Sequence, residues 1–313
     1  MRVRGNWIRW TAAVLMLLGI AMIIVSPAQA EVNPLGMVME IHGRPLNPAG
    51  WDDPDHPTEY RDESIHVVLQ SETTRPKGSA ESVAIRWVTV EIADPSQLRT
   101  TMAYETYGDK RLTYGTEMSQ SVNAVFAING DFIKYYYTFG YVIRQGVFYR
   151  DMLEKQKYPR DVLVIDTNGD FTIVQKATTA DMEAKIAELE ADGRGVVNTF
   201  TFGPALIKDG EIQDIDRWPE FEAWLVAKRI CICQLGPLKY AVVQVDGGDG
   251  SGMTFRQLAE LVKEKYPECI VAYNLDGGQS TNLILNNQQL SRGSGRRKIS
   301  DIIYFASAAG EEP

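Results

Sequence analysis

The segment IVAYNLDGGQST, residues 270–281, runs from an apolar stretch directly into a carboxylate, two glycines and two hydroxyl-bearing residues. This pattern predicts a buried strand that ends at Asp276. The strand would fix the direction of the Asp276 side chain, while Gly277 and Gly278 would let backbone N–H groups approach a ligand closely. Two interpretations stay open from this segment alone: an anion or sugar site, or a tight turn between two core strands.

The preceding residues predict a second strand and a helix. Residues 240–245 are apolar apart from Gln244 and lead into Asp246-Gly247-Gly248. Thr254 is expected to cap the helix, with Gln257 completing a capping box. Strand, helix and strand in this order are typical of a crossover between parallel strands. We therefore expect both Asp-Gly-Gly segments to lie at the same edge of a sheet.

Other segments predict further strands, short hairpins and one more helix. Residues 82–92 and 122–128 are rich in β-branched and apolar residues, and the second run leads into Asn129-Gly130-Asp131. Hairpins are expected over residues 141–149, 162–174, 201–212 and 229–245, and an amphipathic helix is expected to end at Gly193. The predicted fold class is α/β in the mixed α+β sense, a single domain with a largely mixed β-sheet and few helices.

The first thirty residues predict an export signal. Three arginines precede an uncharged apolar run over residues 10–25, and a pattern of small residues ends at Ala30. Cleavage after Ala30 and an uncleaved membrane anchor are both compatible with this pattern. Either one predicts an extracytoplasmic protein, secreted or membrane-anchored. The predicted organisation is a leader over 1–30, an extended lead-in over 31–81, a domain over 82–308 and a tail over 309–313, with regular structure beginning at Ser82.

Composition argues against several classes of function. The net charge is −9, and it becomes −12 without residues 1–30, which contain three arginines and no acidic residue. Such a surface repels nucleic acid, and the basic triplet at residues 296–298 is too short to reverse that. Cys231, Cys233 and Cys269 are expected to be buried thiols; a bridge from either of the first two to Cys269 is the alternative.

Three predicted strands end in a carboxylate beside glycine, at Asp131, Asp246 and Asp276. Ligands of α/β sheets bind beyond the carboxyl ends of strands, so these residues are candidates for one site. The three histidines, at positions 42, 56 and 66, precede the predicted domain, which disfavours a Ser-His-Asp site or a zinc site. No metal and no cofactor are predicted. Calcium at residues 246–252 is a weaker alternative, because the EF-hand spacing and terminal Glu are missing.

Several motifs together resemble the phosphodiester glycosidase family, some of whose bacterial members are described as exopolysaccharide-related. The similarity spans roughly residues 83–306, with motifs in the family order. The motifs are Asn129-Gly130-Asp131-Phe132, Phe202-Gly203-Pro204, Arg229, Asp246-Gly247 with Gly252-Met253-Thr254, and Asn274-Leu275-Asp276-Gly277-Gly278 with Ser280-Thr281. The sequence departs from many members at Gln279, where a third glycine is usual, and at Ile133, where Phe is usual.

The resemblance implies an exported hydrolase that cleaves the sugar C1–O bond of glycosyl-1-phosphodiesters in envelope or extracellular glycans. A phosphate monoester is a good leaving group, so stabilisation of phosphate oxygens matters more than proton donation to it. The catalytic candidates are Asp131, Asp246 and Asp276. The candidates for substrate or phosphate binding are Asn129, Gly130, Arg229, Thr254, Asn274, Gly277, Gly278 and Ser280. For Arg229 a structural ion pair is the alternative.

Two other classes of function remain open from the sequence. One is a non-catalytic glycan- or phosphate-binding protein of exopolysaccharide export that uses the same pocket. The other is a metal-dependent phosphodiesterase that cleaves the P–O bond. Attachment to a membrane through residues 10–25 is a further possibility.

Overall fold

Apolar, β-branched segments build most of the molecule, a computed structural model that describes residues 58–79, 81–108, 110–131, 140–216, 224–247, 251–290 and 297–309. Predictions about residues 1–57 and 310–313 lie outside the described residues. The described helices are α1 (Gly115–Ser121), α2 (Thr179–Ala191) and α3 (Phe255–Lys265). None of the described helices is long and apolar enough to cross a membrane.

The described strands, in chain order, are β1 (Glu59–Arg61), β2 (Ile65–Thr74), β3 (Val83–Ile92), β4 (Leu98–Met102), β5 (Phe126–Asn129), β6 (Tyr141–Arg144), β7 (Val147–Asp151), β8 (Val162–Asp166), β9 (Phe171–Val174), β10 (Val196–Phe200), β11 (Ala205–Lys208), β12 (Glu211–Ile212), β13 (Arg229–Gly236), β14 (Lys239–Val245), β15 (Val271–Leu275), β16 (Leu283–Leu285), β17 (Gln288–Gln289) and β18 (Asp301–Phe305). They form an eight-stranded sheet in the order β1-β2-β3-β14-β13-β15-β11-β12, a five-stranded sheet β17-β16-β5-β18-β4, a three-stranded sheet β10-β8-β9 and the hairpin β6-β7.

The eight-stranded sheet is buried on both faces, which explains why its central strands are nearly continuous apolar runs. Along β13, Ile230 and Ile232 pack toward the other sheets, while Cys231 and Cys233 pack toward α3. Each of the three cysteines is a free, buried thiol, as predicted. Because side chains alternate between the two faces of a strand, this one sheet supports two separate apolar clusters.

The crossover from β14 through α3 to β15 places Asp246 and Asp276, which follow the two strands, at one edge of the sheet. Val245 at the end of β14 pairs with Arg229, and Leu275 at the end of β15 pairs with Ile230. Both strands are antiparallel to β13, so they run in the same direction with β13 between them. The prediction of a shared edge is confirmed, and so is the capping box of Thr254 and Gln257.

The predicted fold class needs two corrections. The described chain is mostly β-sheet with three helices, which is compatible with α+β, but it contains several sheets. Every strand pair among the described residues is antiparallel, because β13 occupies the gap between the parallel strands β14 and β15. In this sheet the helical crossover skips one position, and the sequence pattern does not show that β13 fills it.

The prediction that regular structure begins at Ser82 is wrong. Strands β1 and β2 lie within residues 58–81 and extend the large sheet beyond β3. The proline-rich residues before them obscured a strand whose outer half is exposed and polar. Helix α1 was also missed, since Gly115 and its serines are poor helix formers and the helix is stabilised by packing of Met118. The hairpins at residues 141–151, 162–174 and 205–212 are confirmed.

Candidate active site

Asn129 joins the ends of β5 and β15, which belong to two different sheets. Its side-chain N–H donates to the carbonyl of Asp276 (3.0 Å), and its side-chain oxygen accepts from the backbone N–H of Asn282 (2.9 Å). Asn129 is 1% exposed. A buried amide that uses both its donor and its acceptor in this way fixes the position of the Asp276 loop relative to Asp131.

Asp131 lies in a buried cluster with Arg144 and Asp301. Its carboxylate is 2.9 Å from the Arg144 Nη2 atom, and Arg144 also donates to Asp301 through Nη2 (2.8 Å) and Nε (3.1 Å). The other oxygen of Asp131 accepts from the backbone N–H groups of Thr201 (3.0 Å) and Phe202 (3.3 Å). Among the described residues, one guanidinium therefore faces two carboxyl groups, and these three side chains carry one net negative charge when both acids are ionised.

Asp301 is a site residue that sequence reasoning missed. Burial raises its pKa to about 6, while the Arg144 charge lowers it and the Asp131 charge raises it. Gly130 permits this arrangement, because its N–H donates to the Asp301 carbonyl (3.0 Å) and a Cβ on residue 130 would lie 2.6 Å from the carboxyl carbon. The available signal was a carboxylate at the start of a buried apolar strand, Asp301–Phe305.

Asp276 is a buried carboxyl group whose proton affinity is strongly altered. The residue is 8% exposed, and its Oδ2 atom has no hydrogen-bond partner among the described residues. Burial raises its pKa to about 7; hydrogen bonds from Ser280 and Gly277 and the charge of Arg297 lower it, and the charge of Asp131 raises it. A carboxyl group with this pKa is present in both protonation states at neutral pH, so it can accept or donate a proton.

The glycines after Asp276 build the turn that holds this carboxyl group. Gly278 adopts a positive φ of 59°, and its N–H donates to the carbonyl of Lys228 (3.3 Å). A Cβ on Gly277 would collide with the same carbonyl. The turn interpretation and the site interpretation of residues 270–281 are therefore compatible, because the turn presents the Asp276 carboxyl.

In the sequence, Arg297 is part of a basic triplet that is too short to favour nucleic-acid binding. In the structure, it lies near Asp276. Its Nη1 atom donates to the Ser280 hydroxyl (3.2 Å), and its charge acts on the Asp276 carboxyl. Arg297 is exposed, so the guanidinium is available to an anion in solvent. Ser280, which is 2% exposed, thus lies between a cation and the candidate acid or base.

Asp246 lies at the same sheet edge as Asp276 but in a different set of contacts. It binds Arg86 (2.6 Å) and Lys228 (3.8 Å) and accepts a hydrogen bond from Gln244 (2.8 Å). Lys228 connects the two groups, since its ammonium faces Asp246 while its carbonyl accepts from Gly278. The structure therefore places Asp246 beside the Asp276 loop, within an ion-pair network of its own.

Arg229, Thr254 and Asn274 have contacts that are mainly structural. Arg229 donates to the carbonyls of Met253 (3.1 Å) and Leu225 (2.6 Å), and its guanidinium lies 4.0 Å from the centre of the Phe255 ring. Burial lowers its pKa to about 10. Thr254 caps α3, and Asn274 donates to the carbonyl of Gly203 (2.8 Å). Roles for these residues in substrate binding stay predictions.

The acidic side chains of the described residues do not form a metal site. No group of three or more His, Cys, Asp or Glu side chains in those ranges is arranged to hold a metal ion. Within the segment considered for calcium, residues 246–252, positions 248–250 lie outside the described residues. Asp131 and Asp301 are bound by Arg144, and Asp246 is bound by Arg86 and Lys228.

Comparison with known sequences identifies the chain's family. Residues 122–306 match the sequence profile described as phosphodiester glycosidase. The chain belongs to the phosphodiester glycosidase family. The matched region contains all three candidate aspartates together with Arg144, Arg297 and Asp301. It excludes strands β1 to β4.

Solved structures of low sequence identity share the fold of this family member. The catalytic domain of zebrafish N-acetylglucosamine-1-phosphodiester alpha-N-acetylglucosaminidase, auto-inhibited by its pro-peptide, is 16% identical, with 80% of this chain and 86% of that chain covered and a TM-score of 0.62. A hypothetical protein from Synechocystis is 15% identical, with coverages of 77% and 62% and a TM-score of 0.52. No functionally curated protein matches the chain significantly.

The close approach of Gly130 to Asp301 predicts the effect of one methyl group. In Gly130→Ala, the new Cβ would lie 2.6–2.7 Å from the Asp301 carboxyl atoms, so the Asp131, Arg144 and Asp301 contacts must shift. We expect a loss of about 1–3 kcal/mol in the free energy of unfolding, measured by urea denaturation. The matched control is Gly236→Ala, because a Cβ there meets nothing within 4 Å. Equal stability of the two variants would contradict this packing.

The raised pKa of Asp276 predicts a pH dependence of stability. The folded chain retains a proton that the unfolded chain releases near the ordinary value of 3.8, so stability falls as pH rises from there through about 7. Asp276→Asn removes the pH dependence of stability that comes from Asp276, while the pH dependence that comes from Asp301 remains. Between about pH 4.5 and 7.5, we expect the free energy of unfolding of Asp276→Asn to rise by roughly 1–3 kcal/mol relative to that of the parent protein, measured by urea denaturation. A difference independent of pH would show that Asp276 titrates normally.

Proposed function

We propose that the protein is an exported hydrolase that cleaves the sugar C1–O bond of glycosyl-1-phosphodiesters, with N-acetylglucosamine-1-phosphodiesters as the model substrate. The observation that carries the proposal is Asp276, a buried carboxyl group with an unpartnered oxygen, a pKa of about 7 and a guanidinium beside it. Membership of the phosphodiester glycosidase family supports the same reaction class.

The residues around Asp276 match the parts that this hydrolysis requires. The sugar C1–O bond breaks and its electrons leave with the phosphate monoester, while water attacks C1 and releases a proton. The ionised form of Asp276 accepts that proton as a general base. Arg297 is positioned beside Ser280 to bind the phosphate oxygens, a role that the sequence had suggested for the buried Arg229.

The cluster of Asp131, Arg144 and Asp301 supplies the electrostatic part of the proposal. An oxocarbenium-like transition state carries positive charge at C1, and a fixed negative charge nearby stabilises it. The two carboxylates face a single guanidinium at 2.8–2.9 Å, so the excess charge is negative and held rigidly. Asp131 is the member that adjoins the Asp276 loop through Asn129. Asp246 and its cations Arg86 and Lys228 border the same loop.

Export of the enzyme to the cell envelope or beyond it is part of the proposal. It is supported by the basic, apolar and small-residue pattern of residues 1–30, either as a cleaved signal or as an anchor through residues 10–25. Extracytoplasmic glycans contain sugar-phosphate linkages of the kind that the active site would hydrolyse. Fractionation of expressing cells, with immunodetection of the full chain, would locate the protein.

One assay distinguishes the proposed hydrolase from its rivals. The purified protein is incubated with N-acetylglucosamine-1-phospho-6-mannoside and with an aryl phosphodiester, each with and without chelator. Free N-acetylglucosamine and an intact phosphomonoester support the proposal. Binding without turnover across varied glycosyl phosphodiesters would favour a non-catalytic binding protein. Chelator-sensitive cleavage of the aryl diester would favour a metal-dependent phosphodiesterase.

Two substitutions test the carboxylates directly. We expect Asp276→Asn and Asp131→Asn each to lower kcat by about 10²–10⁴-fold, because each removes a charge or a proton acceptor at the reacting centre. The control is Asp166→Asn, which removes a buried carboxylate that binds Arg194 (2.7 Å) and holds a turn. The control is expected to lose thermal stability and retain its kcat. Parent-like rates in both site variants would contradict the assignment.

A further inference from the structure

Two chain segments run from the carboxylate cluster to a surface where Tyr104 and Arg111 are exposed and Tyr107, Tyr149 and Arg150 are half-buried. Strand β4 ends at Met102, which pairs with Asp301, and the N–H of Ala103 donates to the carbonyl of Ser300 (2.7 Å). Strand β6 ends at Arg144, whose side chain binds Asp301, and the hairpin continues into β7. Both segments therefore adjoin Asp301, the first through strand pairing and the second through the Asp301 carboxylate.

The surface, here called the aromatic–arginine surface, consists of Tyr104, Tyr107, Arg111, Tyr149 and Arg150. The rings of Tyr107 and Tyr149 stack with centres 4.4 Å apart, and the Arg150 guanidinium lies 6.0 Å from the centre of the Tyr107 ring. The Arg111 guanidinium lies 4.1 Å from the centre of the Tyr104 ring. These contacts join the segment after β4 to strand β7.

The aromatic–arginine surface is electrostatically coupled to the active site. Burial raises the pKa of Tyr107, and the charges of Arg150 and Arg144 lower it. Arg144 is the same side chain that binds Asp131 and Asp301. Arg144 thus joins the two regions, since it binds the buried carboxylates at the end of β6, and β6 pairs with β7, which carries Tyr149 and Arg150.

The backbone under Tyr104 is strained. Tyr104 and Glu105 are consecutive non-glycine residues with positive φ values of 58° and 54°. Such conformations cost about 1–3 kcal/mol each and are concentrated at functional sites. Burial does not offset the cost here, because Tyr104 is 48% exposed. The conformation leaves a tyrosine ring and the guanidinium above it at the surface.

Aromatic rings beside arginines match the chemistry of an anionic glycan. A tyrosine ring presents a flat apolar face for the C–H face of a sugar, and its hydroxyl remains in water. Guanidinium groups bind phosphate in a planar, bidentate manner. The segment 104–111 contains two acidic residues, Glu105 and Asp109, and two basic ones, Lys110 and Arg111, so it is neutral in a chain of net charge −9. The segment 104–111 precedes residues 122–306, so it is an addition to the matched family region.

We propose that the aromatic–arginine surface binds the continuing chain of a phosphodiester-linked glycan. The substrate is then an oligomer of sugar phosphates, whose terminal unit reaches Asp276 while the next units lie on Tyr104 and the arginines. This inference rests on the proposed function for its catalytic readout. Its binding readout is independent of turnover.

The kinetic test compares substrates of one and four units. The probes are the methyl phosphodiester of N-acetylglucosamine-1-phosphate and a tetramer of N-acetylglucosamine-1-phosphate units. We expect Tyr104→Ala and Arg111→Gln each to lower the tetramer-to-monomer ratio of kcat/KM about tenfold, which corresponds to about 1.4 kcal/mol. Tyr104→Phe keeps the ring and should keep the ratio. The control Arg256→Gln removes an arginine of α3 that binds Asp216 (2.8 Å), and it should leave the ratio unchanged.

The binding test uses Asp276→Asn with and without Tyr104→Ala or Arg111→Gln, titrated with the tetramer by calorimetry at low and high salt. We expect each second substitution to weaken binding about tenfold and added salt to weaken it further, because the phosphate contacts are exposed. Tetramer binding that is no tighter than monomer binding, or that neither substitution changes, would overturn the inference. If neither probe is hydrolysed but binding depends on Tyr104, the proposed function fails and the glycan surface stands.

Discussion

The side chain of Arg144 connects three of the four sheets through one guanidinium group. It binds Asp301 at the start of β18 and Asp131 beyond the end of β5, and it donates to the carbonyl of Thr199 in β10. It also lies over the Phe200 ring, 4.3 Å from its centre. Removing one partner from a buried ion cluster leaves a charge without compensation, which costs about 3–5 kcal/mol. The relative positions of the sheets therefore depend on this contact.

The active site uses the same burial that stabilises the core. Asp276 is held by the turn after β15, whose glycine donates to Lys228, and by Asn129 from another sheet. Those contacts bury the Oδ2 atom of Asp276, and the loss of hydration raises the pKa of this carboxyl group to about 7. A carboxyl group that titrates near neutral pH thus arises from packing, and the charge of Asp131 raises its pKa further.

The arginines differ in burial, and this difference distinguishes those that contact only the protein from those that face solvent. Arg229 is enclosed by backbone carbonyls and the Phe255 ring, so its charge supports the start of β13. Arg297 is exposed beside Ser280, and Arg111 and Arg150 lie over tyrosine rings at the surface. In the proposed reaction, the exposed Arg297 and Arg111 would meet successive phosphates of one glycan, while the buried Arg144 holds the carboxylates of Asp131 and Asp301.

The sequence by itself determined the local elements of this protein. Three local patterns predicted a strand, a helix and a strand with two carboxylates at one edge: the apolar residues 240–245, the capping box of Thr254 and the segment 270–281. They could do so because side-chain periodicity and capping depend only on neighbouring residues. The family motifs also lay in the sequence. Tertiary structure alone decided that β13 separates the two strands, that Arg229 is enclosed and Arg297 exposed, and that Asp301 binds Arg144. These contacts join residues as far apart as 144 and 301, and no local pattern records which distant side chains meet in a buried cluster.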